Sequence, residues 1–362
     1  MELKLDEMSC CAVKKCIETR IPFALYAFPG ESALHFVACR HSQKVDASVF
    51  FDYSVAGSFA VTGFIPNEPV EVIAPELSPE AVMAMDFPVG DFAVAGNAAS
   101  TSFAQYAASA EKVIAELHER GGKVVLSRII VEEGFDPVTV ALKYFSEFPD
   151  TFRSLFFTPS KGLWLGATPE LLVDYSKAHK SLHTMSLAGT RPAGTVGEWD
   201  AKNTEEHNYV TAFIKDVLGK HAVEVKVSAP CALRYGAVEH LCERIEASGI
   251  GGIADIVSEL SPTPAVCGTP RDYALDIISK SEPHSRGCYG GWIAVKSEDG
   301  VKVYVNLRCA AITPAQKKGV APSYIYKVYA GGGFTADSSV PEEWNEASEK
   351  ASALLKVIKN PD

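Results

Sequence analysis

Two groups of carboxylates, far apart in the chain, are the side chains best placed to do chemistry. The first ends a series that runs from TPELL (168–172) through SLAGTRPAG (186–194) to DAKNTEEH (200–207); the second is EEWNEASEK (342–350). The series supplies an isolated acid, Glu170, then a tight backbone turn, then a carboxylate cluster. Carboxylates at helical spacing on two separate segments are what a hard divalent cation such as Mg²⁺ requires when it is gripped between helices.

For that geometry both segments have to be helical. From Thr204 to Leu218 the apolar residues Tyr209, Val210, Phe213, Ile214, Val217 and Leu218 predict an amphipathic helix with Glu206 near its start. From about Pro341 to Ile358 a second helix opens with Glu342, Glu343 and Glu346, ahead of Leu354, Leu355 and Ile358. An acidic first turn is also favoured by the helix dipole, so each cluster taken singly reads first as N-terminal charge complementation. Another helix is expected from Ser102 to Arg120, stopped by Gly121 and Gly122, with KVVLSRIIVEE leaving that stop as a strand. Pro137 to Phe148 reads as helix, and LWLGATPELLVDYS (163–176) as two strands joined at the Thr-Pro. Upstream, PFALYAF (22–28), HFVACR (35–40) and FDYSVAGSFAVTGFIP (51–66) are strand-rich. With no internal repeat or linker, one domain over 1–362 is expected: a divergent part to about residue 100 and a core from about 101 carrying the motifs.

A chain of 362 residues that is 47% hydrophobic can bury a large core. Its net charge of −11 argues against nucleic-acid binding, which rests on clustered Lys and Arg. No run approaches the apolar length of a membrane span, and MELKLDEMSCCAVKKC has no long apolar stretch behind a basic flank, so a soluble cytoplasmic protein is expected. Nine cysteines scattered from Cys10 to Cys309 lack the paired spacing of a zinc site and read as small buried hydrophobes with a few free thiols, in a reducing compartment. No segment reads as a dedicated dimer helix, so a monomer is expected.

Six ordered motifs carry a resemblance: KVVLSR (123–128), TPELL, LAGTRP (187–192), the EEH of 205–207, SPTPAVCGTPRD (261–272), and the run from NLRCA (306–310) through YAGGGF (329–334) to EEWNEASEK. In this order they resemble the chorismate-utilising enzymes, and within them the isochorismate synthases of menaquinone and siderophore biosynthesis. The resemblance runs from about Lys123 to the C-terminus. It implies an α/β fold of α+β type, like that of anthranilate synthase component I, with large, mainly antiparallel sheets packed centrally, helices outside and the site in a cleft between them. It also implies chorismate as substrate and Mg²⁺ as cofactor.

Making isochorismate from chorismate requires water to attack one ring carbon while hydroxide leaves another. That takes a base, an acid and a cation for the ring carboxylate. By the resemblance Lys123 is the base. An ordinary lysine is protonated at neutral pH, so such a role calls for burial or cationic neighbours. Glu170 is the acid and must hold its proton, which an apolar surrounding would favour. Glu206 and Glu346 match the metal ligands, with Glu343 on the same helical face as Glu346. Arg308 and Lys350 match positions that bind substrate carboxylate. Ala188, Gly189, Thr190, Tyr329 and Gly331 line the substrate site, the glycines letting backbone amides approach an anion as a Gly-rich turn can. His207 reads as a packed residue, since Mg²⁺ prefers oxygen.

Two positions exclude relatives within the family. Anthranilate synthases typically carry Gln where Lys123 stands, so water rather than ammonia is the implied nucleophile and no glutamine amidotransferase partner is expected. Aminodeoxychorismate synthases typically place a nucleophilic Lys where this chain has Ala188. Two positions depart from the pattern: Asn203 replaces an acid three residues before Glu206, and Ser261 replaces a His common in siderophore-type enzymes. The competing readings are a salicylate synthase, which would also eliminate pyruvate, and a non-catalytic chorismate binder.

Overall fold

The computed structural model describes residues 5–86, 99–315 and 323–361, and the strands among them form two sheets whose recorded pairings are all antiparallel. One sheet runs, edge to edge, Gly268–Thr269, Lys123–Gly134, Tyr324–Phe334, Cys309–Pro314, Gly162–Thr168, Phe152–Thr158, Phe23–Ala27 and His35–Ala38. The other includes Val238–Ser248, Ser181–Pro192, Leu171–Ser176, Gly300–Val305, Trp292–Lys296 and Phe59–Val61, in that order.

Strand periodicity explains the layering. Phe23, Leu25, Leu155, Phe157, Leu163 and Leu165 face a helical layer formed by Glu7–Thr19, Pro79–Ala84, Pro137–Glu147 and Val340–Lys359. Their neighbours Ala24, Tyr26, Phe156 and Trp164 point the other way, into a cluster shared with Phe59, Val61, Ile293 and Tyr304 of the second sheet. Side chains alternate between faces of a strand, so runs such as SLFF and LWLGA are apolar throughout because both faces are covered. The stacked rings of Phe152 and Tyr304, 4.3 Å apart, join the sheets directly. Helices Ala47–Tyr53, Ala201–His221 and Ala254–Leu260 cover the outer face of the second sheet. The fold is therefore mixed α and β, with central antiparallel sheets and helices outside.

Several expectations change in detail. Within 51–66 only Phe59–Val61 is strand; Phe50 and Phe51 belong to the helix Ala47–Tyr53, where both rings pack on Trp292. The helix expected from 102 spans Phe103–Arg120 behind a capping box of Ser102 and Gln105. Phe103, its first residue, is 46% exposed and meets Trp344 edge-on. The strands of 163–176 do join at Thr168-Pro169, but they lie in different sheets. All nine cysteines are free; Cys16, Cys39, Cys242, Cys267, Cys288 and Cys309 are buried.

If the inter-sheet cluster is the shared core, Phe156→Ala should lower the unfolding free energy by about 3–5 kcal/mol. Urea titration reads this as a lower midpoint at unchanged slope; a loss below about 1 kcal/mol would disprove a common core.

Candidate active site

Two passages of the chain from one sheet to the other meet side by side. In the first, Pro169 and Glu170 link Gly162–Thr168 to Leu171–Ser176; in the second, Asn306, Leu307 and Arg308 link Gly300–Val305 to Cys309–Pro314. The Val305 amide donates to the Glu170 carbonyl at 3.1 Å, which locks the passages together. Glu170 and Arg308 thereby reach one cleft, which Ala188, Gly189, Thr190, Glu206, Tyr329, Gly331 and Lys350 also line.

Glu170 is 4% exposed, and burial pushes its carboxyl up to about 7 against the opposing pull of Lys123, Thr263 and Arg308. Desolvation disfavours the charged form, so an enclosed carboxyl keeps its proton further into the neutral range. Thr263 Oγ1 stands 3.5 Å from Glu170 Oε1, at the limit of a hydrogen bond.

Across the cleft, Lys123 opens the strand Lys123–Gly134 and is fully buried. Its Nζ lies 2.8 Å from Glu206 Oε1; the contact is an ion pair without a directed hydrogen bond. With side-chain exposures of 0% and 16%, Glu206 is the member of the pair that faces the cleft, and Lys123 lies behind it. The helix carrying Glu206 starts earlier than expected, at Ala201, with Asp200 as its N-cap. Glu206 is thus past the first turn and is held by Lys123, so dipole complementation does not account for it.

The third wall is the helix Val340–Lys359. Glu343 is 1% exposed, forms an ion pair with Lys202, and has Oε2 buried without a hydrogen-bond partner. Burial, with Glu346 and Glu206 adding to it, pushes the Glu343 carboxyl up to about 7 despite Lys202. Burial also acts on Glu346, but there the Lys350 charge and hydrogen bond, at 2.5 Å, prevail and hold the carboxyl below its ordinary value. Lys350 Nζ also donates to the Gly331 carbonyl at 3.2 Å.

AGGG is not a turn. Gly331, Gly332 and Gly333 pair with Ser127, Leu126 and Val125 within the C-terminal part of the strand Tyr324–Phe334. A Cβ on Gly332 would collide with Glu343 Oε2, and one on Gly333 would lie 2.6 Å from Glu206 Oε1 and 2.8 Å from Lys123 Cε. These positions are bare because carboxylate oxygens occupy the space. Gly189 does sit in an irregular turn, a bulge between Ala188 and Thr190 with φ +75°, and its Cβ would be 3.0 Å from the Asn203 carbonyl oxygen.

Among the described residues no three His, Cys, Asp or Glu side chains already stand close enough to ligate a metal together. Each of Glu206, Glu343 and Glu346 faces a lysine instead. The carboxylates nevertheless suit a divalent cation. The donor set is all oxygen, one oxygen is buried and orphaned, and the glycine strand leaves room for the carboxylates to converge.

A family model described as chorismate binding enzyme matches residues 90–359. The chain belongs to this family. Isochorismate synthase MenF of Escherichia coli (strain K12) is 32% identical over 207 residues, covering 54% of this chain and 45% of MenF, so the match spans less than half of that relative. Isochorismate synthase EntC of the same organism is 29% identical over 275 residues, 71% of this chain and 67% of EntC. The solved structure of E. coli MenF, a menaquinone-specific isochorismate synthase, matches with a TM-score of 0.77 at 21% identity, over 97% of this chain and 91% of that one, and so shares the fold.

Within this chorismate-binding fold, sequence reasoning missed His240 and Arg286. His240 Nε2 lies 2.8 Å from Arg308 Nη2, and its Nδ1 lies 3.1 Å from the Gly189 carbonyl. Burial, then the charges of Arg308 and Lys350, hold its pKa well below the usual value. The neutral ring can therefore accept from Arg308 and donate to Gly189. Arg286 ties the cleft wall together by donating to the Val266 and Val125 carbonyls at 2.7 and 2.6 Å. The one local signal for His240 is a polar residue within a buried stretch of strand; nothing local marks Arg286. His207 packs away from the carboxylate cluster, near Glu243, Ser186 and Thr211. Ser261 ends the helix Ala254–Leu260 and does not line the cleft, so its departure from the family pattern lies outside it.

Gly333→Ala should destabilise the fold by about 1–3 kcal/mol by forcing the buried pair apart, whereas Gly162→Ala, whose Cβ meets nothing, should cost only its backbone strain. Equal chemical-denaturation midpoints for Gly333→Ala and the parent would show that the strand does not need the space.

Proposed function

We propose that this chain is an isochorismate synthase acting on chorismate with Mg²⁺. One observation carries the reading: an enclosed Glu170, raised to about 7, shares the cleft with the Glu206 partner of a fully buried Lys123. That puts an acid that keeps its proton further into the neutral range on the same cleft as the carboxylate partner of the candidate base. The activities named for MenF and EntC support it, and so does lysine rather than glutamine at 123.

In this reading Glu170 delivers its proton to the departing allylic hydroxyl. Lys123 takes the proton of the attacking water as the free amine, which requires its ion pair with Glu206 to open and Glu206 to move aside. Arg308 is held by His240 and by its own donation to the Lys350 carbonyl at 3.1 Å, and so presents a fixed fork to a substrate carboxylate. Lys350 adds a point charge, and Tyr329, held in place by stacking contacts with Trp164 and Tyr289, lines the cleft. Ala188 and the Gly189–Thr190 bulge also line the cleft. Glu206, Glu343 and Glu346 would hold Mg²⁺, which when bound supplies positive charge to the ring carboxylate.

Purified protein incubated with chorismate and Mg²⁺ should yield isochorismate without pyruvate by chromatography; salicylate with equimolar pyruvate would replace this reading with the salicylate synthase one. Lys123→Gln should lower turnover by at least about 100-fold with an unchanged circular dichroism spectrum. Near-parental turnover would remove Lys123 as the base. The required form of Glu170 is protonated and predominates below about 7, so kcat/KM should fall as pH rises through that value. A profile flat across neutrality would remove Glu170 as the acid.

A further inference from the structure

The lysines that face the three carboxylates are not equivalent. Lys123 is fully enclosed. Lys350 is tied to the Gly331 carbonyl as well as to Glu346. Lys202, in the first turn of the helix Ala201–His221, keeps 34% of its side chain exposed, and the hydrogen bond it makes is to Glu343 Oε1. The other oxygen of that carboxylate is the buried orphan. The Lys202 charge also acts on Glu346 and Glu206, so one ammonium addresses all three acids.

Its neighbour cannot substitute for it. Asn203 Oδ1 accepts from the Thr190 amide at 2.7 Å, and Asn203 Nδ2 donates to Asp200 Oδ2 at 2.7 Å. The residue that departs from the family's acidic pattern is therefore committed to the Gly189–Thr190 bulge. What remains is three carboxylates against three lysines, a cluster already close to neutral. A dication attracted to it meets a resident positive charge. Lys202 alone among the three combines a flexible, partly exposed stem with a charge directed into the cluster, so it can leave for solvent without unpacking the core.

We propose that Lys202 is a built-in counter-cation, seated among Glu206, Glu343 and Glu346 until a divalent cation displaces it. This rests on the Mg²⁺ reading above. Its consequence is that Mg²⁺ competes with an internal ammonium, so removing that ammonium strengthens metal binding rather than weakening it. A residue that merely supported the ligands from behind would have the opposite effect.

Calorimetric titration of Mg²⁺ into the full chain, without substrate, tests the proposal, with Trp344 fluorescence beside Glu343 as a second readout. Lys202→Met should tighten the Mg²⁺ Kd by about three- to tenfold, the range expected for loss of one partly exposed competing ion pair. Lys202→Arg, which keeps the charge, should not tighten it. If Lys202→Met fails to fold, Lys202→Gln is titrated in the same way. Unchanged or weaker binding in the neutral variant, with Glu346→Ala abolishing binding, overturns the counter-cation role and leaves the metal reading standing. Absence of Mg²⁺ binding by the parent protein overturns both.

Discussion

An ammonium with no access to water is the constraint on which the site depends. Moving a charge from water into a protein interior costs several kcal/mol unless an opposite charge lies in contact. Lys123 is enclosed completely, and Glu206 supplies that contact at 2.8 Å. The contact requires the helix Ala201–His221 to pass close to the strand Tyr324–Phe334, and Gly333 permits it by offering no side chain. Gly332 does the same for Glu343. A layer of charge is thus admitted beside the sheet because one strand is stripped of side chains where the carboxylates arrive.

The same burial gives chemically identical groups different behaviour. Desolvation pushes Glu170, Glu343 and Glu346 upward alike. At Glu346 the adjoining Lys350 reverses the result, while at Glu170 the opposing charges leave it near 7. Placement between two inter-sheet passages keeps water from Glu170 and brings Arg308 beside it. His240, kept neutral by burial and neighbouring cations, then steadies Arg308. Acid, anion-binding fork and carboxylate cluster are consequences of how the sheets are joined.

Legibility in the sequence followed the range of the interaction involved. The helices at 102–120 and 137–148 were readable because apolar periodicity, a Ser cap and a Gly stop are local signals. The stretch 51–66 misled because Phe50 and Phe51 are apolar in either state, and their packing on Trp292, far along the chain, selects the helix. YAGGGF suggested a turn, since glycine usually marks one; its need for space arises only against Glu206 and Glu343 from two distant helices. Asn203 read as a lost ligand and instead brackets the Thr190 amide. Lys202 carried no mark at all beside the acids that follow it.

Residue types and their order sufficed for the family and, through that resemblance, for the antiparallel α+β architecture and for half of the residues that line the cleft, while 2.0 and 3.6 residue periods marked the individual strands and helices. Tertiary structure alone decided which carboxylate keeps a proton, which lysine faces which acid, and that Glu170 and Arg308 share one cleft. Desolvation and Coulomb energy depend on distances between segments more than a hundred residues apart, such as Lys202 and Glu343, and those distances exist only once the two sheets have closed on each other.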